Sequence, residues 1–294
     1  MKFFSYFKSA WSFFTAIFLS ITALFAPHAQ STDTAVLLSE QLNVLDNLIY
    51  MGQDITNDGE YFYTSNTVIK EMRLTSIAKY GYDGKTMTPI VEKLQPMPAE
   101  VVKDGYNHLG GISTYNGKLY AAVEGGTKTK ACVVVFNTSD LSPTGEVYYI
   151  SEELLPTEIP WLAVDENGFL YASQWKETND IHVFDVNNNM EYVKTIKTSV
   201  PVQRIQGGDF YNGYLYLSSD TYVDNTQTCT CKRILKLDVA TGEISDFAQR
   251  DLGHRTTEAE GLTIFPTPDG ANVHVLDWNK KTLTVYLRHY SVQF

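Results

Sequence analysis

Short apolar and aromatic runs alternate along this chain with turns that carry glycine, asparagine and aspartate. Five turns share one form, Asn or Asp followed by glycine and then by a hydrophobic–aromatic pair or its equivalent. Their glycines are Gly59, Gly117, Gly168, Gly213 and Gly270. Such turns join antiparallel strands, and β-branched and aromatic residues are enriched in strands. A recurrence at roughly 50 residues predicts one supersecondary unit used five times.

Each unit contains four predicted strands, one before the turn and three after it. Four-stranded units repeated in this way predict an all-β fold, a five-bladed β-propeller. The fifth unit ends at Phe294 after its third strand. Segment 34–43 could supply the missing strand, which would close the ring and leave no open edge between the first and last blades. A six-bladed ring, with an extra blade near 86–106, is the second choice.

Residues 1–29 have the pattern of a secretory signal peptide. Lys2 and Lys8 precede an uncharged apolar stretch at 10–26, and a small residue, Ala29, stands at a plausible cleavage point. The stretch is at the lower limit for crossing a bilayer, so an uncleaved anchor is the alternative. We predict a secreted or periplasmic monomer in which 30–294 form a single propeller domain.

The formal net charge is −11, with a calculated pI of about 5.0. This acidity argues against nucleic acids and anionic membranes as partners, and it leaves carboxylates available for a cation. The three cysteines, Cys132, Cys229 and Cys231, are an odd number for an exported protein. No second ligand pair completes a zinc site with them, so we expect a structural or incidental role.

The propeller geometry predicts which residues converge. The first strand of each blade lines the central channel, and its start shares one mouth with the end of the second strand. The positions predicted at this mouth are Gln53, Asp54, Ser65, Asn66, Asn107, His108, Glu124, Glu158, Trp161, Gln174, Trp175, Gln206, Ser219, Asp220, Glu258, Glu260, Asp277 and Trp278. Their amides and carboxylates favour a hard cation or a polar small molecule. Alternatively, these polar residues bind no ligand and simply line a water-filled channel.

Roles follow from residue type. Glu260 and His108 are the candidate catalytic residues, and Glu260 and Asp54 are the candidate ligands of a divalent cation such as calcium. The candidate ligand-binding residues are Gln53, Asn107, Trp161, Trp175, Gln206, Asp220 and Asp277. His108 precedes Gly110 and Gly111, so it could act as a base or metal ligand, or simply bond to a neighbouring blade. No nucleotide-binding, nucleophile-elbow or zinc-protease motif is present.

The repeated Asn-Gly-x-Leu-Tyr turns and the segment Glu258-Ala259-Glu260-Gly261-Leu262 resemble those of exported propellers that include gluconolactonase-like esterases and glutamine cyclotransferases. The first resemblance implies a divalent ion in the channel with Glu260 among its ligands. The second implies five blades and a metal-independent site around a central glutamate. The Thr-Gln-Gly-Leu opening of the cyclotransferases is absent, and Gly52-Gln53-Asp54-Ile55 is the nearest segment.

Two functions from different classes follow. The favoured one is binding of a small polar ligand in the funnel, with hydrolysis of a lactone or ester if a metal polarises its carbonyl. The rival is a non-catalytic propeller that recognises a protein or glycan through its loops. Long variable loops at 124–130 and 218–231 favour the rival, whereas carboxylates that converge inside the channel would favour the enzyme.

Overall fold

The computed structural model describes most of the chain after the predicted leader. The described residues are 35–43, 50–68, 74–84, 86–222, 229–250, 257–279, 282 and 284–294. They belong to one compact unit, 33–294. The leader predicted at 1–29 lies outside them. Within these ranges, no helix has the length and apolar character needed to cross a membrane.

Twenty strands in the described ranges form five antiparallel four-stranded sheets, which are the five predicted blades. Blades 1 and 2 consist of β2 Tyr50–Asn57, β3 Phe62–Val68, β4 Leu74–Tyr82, β5 Met87–Leu94, β6 His108–Tyr115, β7 Lys118–Glu124, β8 Ala131–Asn137 and β9 Pro143–Ile150. Blades 3 and 4 consist of β10 Trp161–Val164, β11 Phe169–Ser173, β12 Thr178–Asp185, β13 Glu191–Val202, β14 Ile205–Tyr211, β15 Tyr214–Tyr222, β16 Cys229–Asp238 and β17 Ile244–Arg250. Blade 5 combines β18 Thr257–Ile264, β19 Val273–Asn279 and β20 Thr284–Ser291 with β1 Val36–Asn43.

The N-terminal strand closes the ring, as predicted. β1 pairs antiparallel with β20, so the order in blade 5 is β1-β20-β19-β18 and the last sheet draws strands from both ends of the chain. The stretch near 86–106 holds β5 of blade 1 and a five-residue helix, α1 Ala99–Lys103, rather than a sixth blade. The five-bladed prediction is therefore confirmed.

Apolar side chains hold adjacent blades together. Five buried clusters lie in the described chain, one at each blade interface. Between blades 1 and 2, for example, Tyr63 and Ile77 meet Leu109 and Ile112. Strand alternation explains the pattern, because successive side chains point to opposite faces and each blade must cover two neighbours. Cys132 is a free cysteine buried in this same interface, so it serves as a packing residue.

Glycines let the five innermost strands approach closely around the channel. A Cβ on Gly261 would lie 2.4 Å from the Asp54 Cα, and one on Gly207 would lie 2.6 Å from the Gly261 Cα. A Cβ on Gly111 would lie 2.4 Å from the Trp161 Cα. Such contacts are too short for any other residue, so these glycines set the narrowness of the channel.

Candidate functional site: a funnel at the starts of the innermost strands

A cavity of about 460 Å³ opens where the innermost strands begin. All five blades contribute to its wall. Among the residues with a predicted catalytic or binding role, those that line it are Gln53, Asn107, His108, Trp175, Gln206 and Glu260. Glu124, Glu158 and Glu258, which are also predicted at this mouth, add three further carboxylates, and Lys130 adds one ammonium group. Among the described residues that line the funnel, four are glutamates and one is a lysine, so the described lining is acidic.

β-Bulges occur at the same level in three innermost strands and explain why their polar residues share one mouth. The pairing register shifts between Gly52 and Asp54 in β2 and between Ile205 and Gly207 in β14. It also shifts between Ala259 and Leu262 in β18. The residues at these shifts include Gln53, Gln206 and Glu260, all of which line the cavity. A bulge re-aims side chains out of the regular alternation.

In blade 2 the same level is occupied by two glycines. The register of β6 shifts between Leu109 and Ile112, a stretch that contains Gly110 and Gly111. His108 therefore enters the funnel from the very start of its strand, next to Asn107. In blade 3 the strand starts only at Trp161, and Glu158 reaches the cavity from the preceding segment.

Trp175 forms the aromatic part of the wall, and Arg204 holds it. The Arg204 backbone N–H donates to the Trp175 carbonyl oxygen at 2.8 Å, and the guanidinium carbon lies 4.4 Å from the centre of the indole ring. The guanidinium also pairs with the Glu258 carboxylate at 3.4 Å. Arg204 is buried and has φ +54°, an uncommon conformation for a side chain of this size. This bracing fixes one face of the tryptophan ring and one of the funnel glutamates.

Asp54 lies below the funnel instead of in its wall. It is fully buried, and its carboxylate accepts the backbone N–H groups of Ile55 at 2.8 Å and Ile112 at 2.7 Å. Burial raises the pKa of Asp54 well above its ordinary value, although these two hydrogen bonds oppose the shift. The physical reason for the placement is the bulge, which turns Gln53 into the cavity and leaves Asp54 to join blade 1 to blade 2.

Trp161 and Asp277 are also part of the core. The Trp161 indole N–H donates to the Ser173 hydroxyl at 3.0 Å, and its ring packs where Gly208 leaves room. The Asp277 carboxylate accepts from Arg250 at 2.8 and 3.1 Å and from Arg288 at 2.6 Å. Burial alone would raise the pKa of Asp277, but the two guanidinium groups hold it below its ordinary value.

Asp220, the last of the candidate ligand-binding residues, belongs to β15, and its side chain lies outside the described part of the structure. Of the two predicted metal ligands, Glu260 lines the cavity, whereas the Asp54 oxygens accept the backbone N–H groups of Ile55 and Ile112. Across the described ranges, no group of three or more His, Cys, Asp or Glu side chains is arranged so that it could hold a metal ion. Arg204 and Lys130 were missed by sequence reasoning, since neither belongs to a repeated motif.

No protein-family description matches the sequence, and no curated protein matches it. Solved structures with the same fold do match. An arabinanase of Bacillus subtilis is 15% identical, with a TM-score of 0.51 over 81% of this chain and 93% of the enzyme. An exo-β-1,3-galactanase of Phanerochaete chrysosporium, solved with β-1,3-galactotriose, is 11% identical, with a TM-score of 0.53 over 88% of this chain and 63% of that one. A tail fibre of a Staphylococcus aureus phage is 14% identical, with a TM-score of 0.50 over 94% and 56%.

These structural neighbours agree with the five-bladed fold. Because their sequences are only 11–15% identical to this chain, they support its fold and not its function. Two are glycoside hydrolases by name and one is a phage fibre, so the shared architecture hosts more than one function. The resemblance to gluconolactonase-like and cyclotransferase-like proteins remains a prediction.

Proposed function

We propose that the funnel binds a neutral saccharide and that its glutamates hydrolyse a glycosidic bond. The observation that carries the proposal is the convergence of four glutamates and a braced tryptophan, from several blades, on one cavity of about 460 Å³. That volume falls within the range of small-ligand sites. The two glycoside hydrolases among the structural neighbours support the choice of a saccharide.

The electrostatics favour an uncharged ligand. The described residues around the funnel carry four carboxylates, one ammonium group and the Arg204 guanidinium that pairs with Glu258, and the remaining negative charge would repel a phosphate, a carboxylate or a sulfate. Hydroxyl groups instead can donate to the glutamates, and Gln53, Asn107 and Gln206 can both donate and accept. The apolar face of a sugar ring can lie against Trp175, whose other contacts are set by Arg204.

Hydrolysis of a glycosidic bond uses two carboxyl groups on either side of the bond, one to protonate the leaving oxygen and one to activate water or attack the sugar. Glu260 in blade 5 and Glu158 before the first strand of blade 3 approach the cavity from different blades. We assign Glu260 and Glu158 as this pair. Glu258, bound to Arg204, positions Trp175, and His108 hydrogen-bonds the substrate.

The test is hydrolysis and binding of neutral oligosaccharides, including arabinan, xylan and galactan fragments, by the wild type and by Glu260→Gln and Glu158→Gln. Reducing-end release should fall by at least about 100-fold in each variant while binding by calorimetry persists, because proton transfer contributes about 10²–10⁴ in rate. Glu92→Gln, which changes an exposed glutamate on β5, is the matched control and should behave as wild type. Absence of both binding and hydrolysis across the set would refute the proposal.

A second candidate is a saccharide-binding propeller without catalysis. The phage tail fibre among the structural neighbours favours it, because that chain shares the fold under a name that describes no enzyme. The same assay separates the two functions: binding that depends on Trp175 and Glu260, with no product released by the wild type, would select the binding protein. Metal-dependent lactone or ester hydrolysis, and export of the chain, remain predictions. A loss of activity on chelation would support the metal-dependent reaction.

A further inference from the structure

A second polar cavity, of about 300 Å³, lies between blades 2 and 3 at the other ends of their strands. β6 starts at the funnel with His108 and ends here with Tyr115. We call this cavity the tyrosine groove. Its wall contains Tyr115, Tyr120, Tyr148, Lys118, Glu146 and Asn187, together with other residues of the turns.

Strand periodicity builds the groove. Lys118 and Tyr120 are two residues apart on β7, and Glu146 and Tyr148 are two residues apart on β9, so each pair shares one face of its strand. That face looks towards blade 3, because the rings of Tyr115, Tyr120 and Tyr148 pack in the apolar cluster between blades 2 and 3. The ring bodies are therefore anchored, while their polar ends border the cavity.

The charges in the groove neutralise each other. The Lys118 ammonium lies 2.8 Å from the Glu146 carboxylate, and the Tyr148 hydroxyl donates to the same carboxylate at 3.1 Å. Among the hydrogen bonds of the described residues, by contrast, none involves the hydroxyl of Tyr115 or Tyr120. Tyr120 is only 3% exposed, and burial raises its pKa to about 12, so it remains a neutral donor at physiological pH.

Blade 3 supplies the floor of the groove. The Asn187 amide donates to the Asn167 carbonyl oxygen at 2.9 Å, which fixes it beside Gly168. A Cβ on Gly168 would lie 2.2 Å from the Asn187 Nδ2 and 3.1 Å from the Tyr115 ring. Glycine at this turn, where φ is +85°, therefore permits the close approach of an amide and an aromatic ring.

The equivalent turn position in other blades is covered. Three residues after the turn glycine stand Phe62 in blade 1, Tyr171 in blade 3 and Tyr216 in blade 4. Phe62 packs edge-on against two aromatic rings, the Tyr171 hydroxyl donates to Asp165 at 3.0 Å, and the Tyr216 ring packs against Phe247 at 4.8 Å. Blade 2 differs because Tyr120, at the same position, borders a cavity.

We propose that the tyrosine groove binds one unit of a neutral carbohydrate, as a second site separate from the funnel. The tyrosine hydroxyls that border the cavity can hydrogen-bond to the hydroxyl groups of a sugar, and the internal ion pair leaves no net charge for an ionic ligand. The volume is at the lower end for small-ligand sites, which fits a single monosaccharide unit. The site does not depend on the function proposed for the funnel.

The experiment follows the tyrosine signals of the full-length protein by nuclear magnetic resonance after ring-carbon labelling. Neutral monosaccharides and oligosaccharides of arabinose, xylose, galactose and glucose are the probes. Tyr115→Phe and Tyr120→Phe assign the signals and remove only the hydroxyls. The double variant should bind the active sugar about tenfold more weakly, because two hydrogen bonds to the sugar are lost.

Two controls separate this site from its surroundings. Tyr216→Phe makes the same change at the equivalent position of blade 4 and should bind as wild type. Glu260→Gln alters the funnel and should leave the shifts of the groove tyrosines unchanged, so failure of one site does not imply failure of the other. The proposal is overturned if no sugar shifts these signals, or if the double variant binds the active sugar as tightly as the wild type.

Discussion

Blade 5, which we call the closing blade because β1 completes it, and the funnel both contain carboxylates, but these carboxylates have different roles. In blade 5 the Asp277 carboxylate is fully buried between Arg250 and Arg288, and Arg288 also pairs with Glu40 of β1 at 2.6 Å. This network ties the N-terminal strand to the sheet that it completes. In the funnel, by contrast, Glu260 and its neighbours border a cavity with one lysine.

The difference teaches that a carboxylate near a strand end does not mark a binding site by itself. Asp277 and Glu260 both belong to blade 5 and both lie towards the same end of its strands. Their surroundings differ, because two buried guanidinium groups bind the Asp277 oxygens, whereas Glu260 lies at a bulge and lines the cavity. We therefore expect the first group to control stability and the second to control ligand binding.

The largest effect is expected at the closing blade. Among the described residues, Asp277→Asn leaves the two buried guanidinium groups with the partly exposed Glu40 as their remaining counter-charge. Breaking a buried ion pair from one side costs about 3–5 kcal/mol. The free energy of unfolding from urea titrations should fall by that amount.

Asp246→Asn is the control for this change. It breaks a pair with Arg233 in which the aspartate is 65% exposed, and it should cost less than about 1 kcal/mol. Adding Arg250→Leu to Asp277→Asn should recover part of the lost stability, because one unpaired buried cation is removed. Equal costs for Asp277→Asn and Asp246→Asn would show that the buried network does not hold the ring closed.

The second largest effect on stability is expected at low pH, where protonation of two buried histidines should destabilise the closing blade. His274 Nε2 lies 2.8 Å from the Phe265 carbonyl oxygen, so it carries a proton, and the His274 Nδ1 then accepts from His289 Nδ1 at 2.6 Å. Burial lowers the pKa of His274 to about 3 and that of His289 to about 4, although Asp269, which accepts from Tyr82 nearby, opposes both shifts. The contribution of these neutral rings to the free energy of unfolding is fully present above pH 6.5. It is lost as the pH falls towards 4, by about 1.4 kcal/mol per pH unit for each histidine.

Asp209 acts in the opposite direction and must be separated from the histidines. Burial raises the pKa of Asp209 to about 6, which favours its neutral, protonated form in the folded state. The stability that this neutral form provides is fully present below about pH 4 and is lost as the pH rises through 6. His289→Asn keeps a donor for His274 and should flatten the acid slope of the urea midpoint, whereas Asp209→Asn should steepen it. A midpoint that is constant from pH 6.5 to 4 in all three proteins would contradict these assignments.

The fold could be predicted because its signals are local. Turn glycines, alternating strands and a spare apolar segment each specify structure within a few residues, and closure of the ring follows from the need to cover an edge. The site could be predicted only in part. The bulges at Gln53 and Glu260 move these residues into the funnel and displace Asp54 below it, and no pattern of single residues reveals a shift in register. Arg204 and the tyrosine groove depend on contacts between segments far apart in sequence.

The smallest effect on stability is expected in the funnel, where the comparison is sharpest. Glu260→Gln removes one of the four carboxylates in the described lining of the cavity, so relief of like-charge repulsion offsets part of any lost contact. The free energy of unfolding should change by less than about 1 kcal/mol, while saccharide turnover is lost. A loss of 3 kcal/mol or more would be comparable to that expected from Asp277→Asn. It would make Glu260 a structural residue, and the carboxylates of the closing blade and of the funnel would then both serve stability.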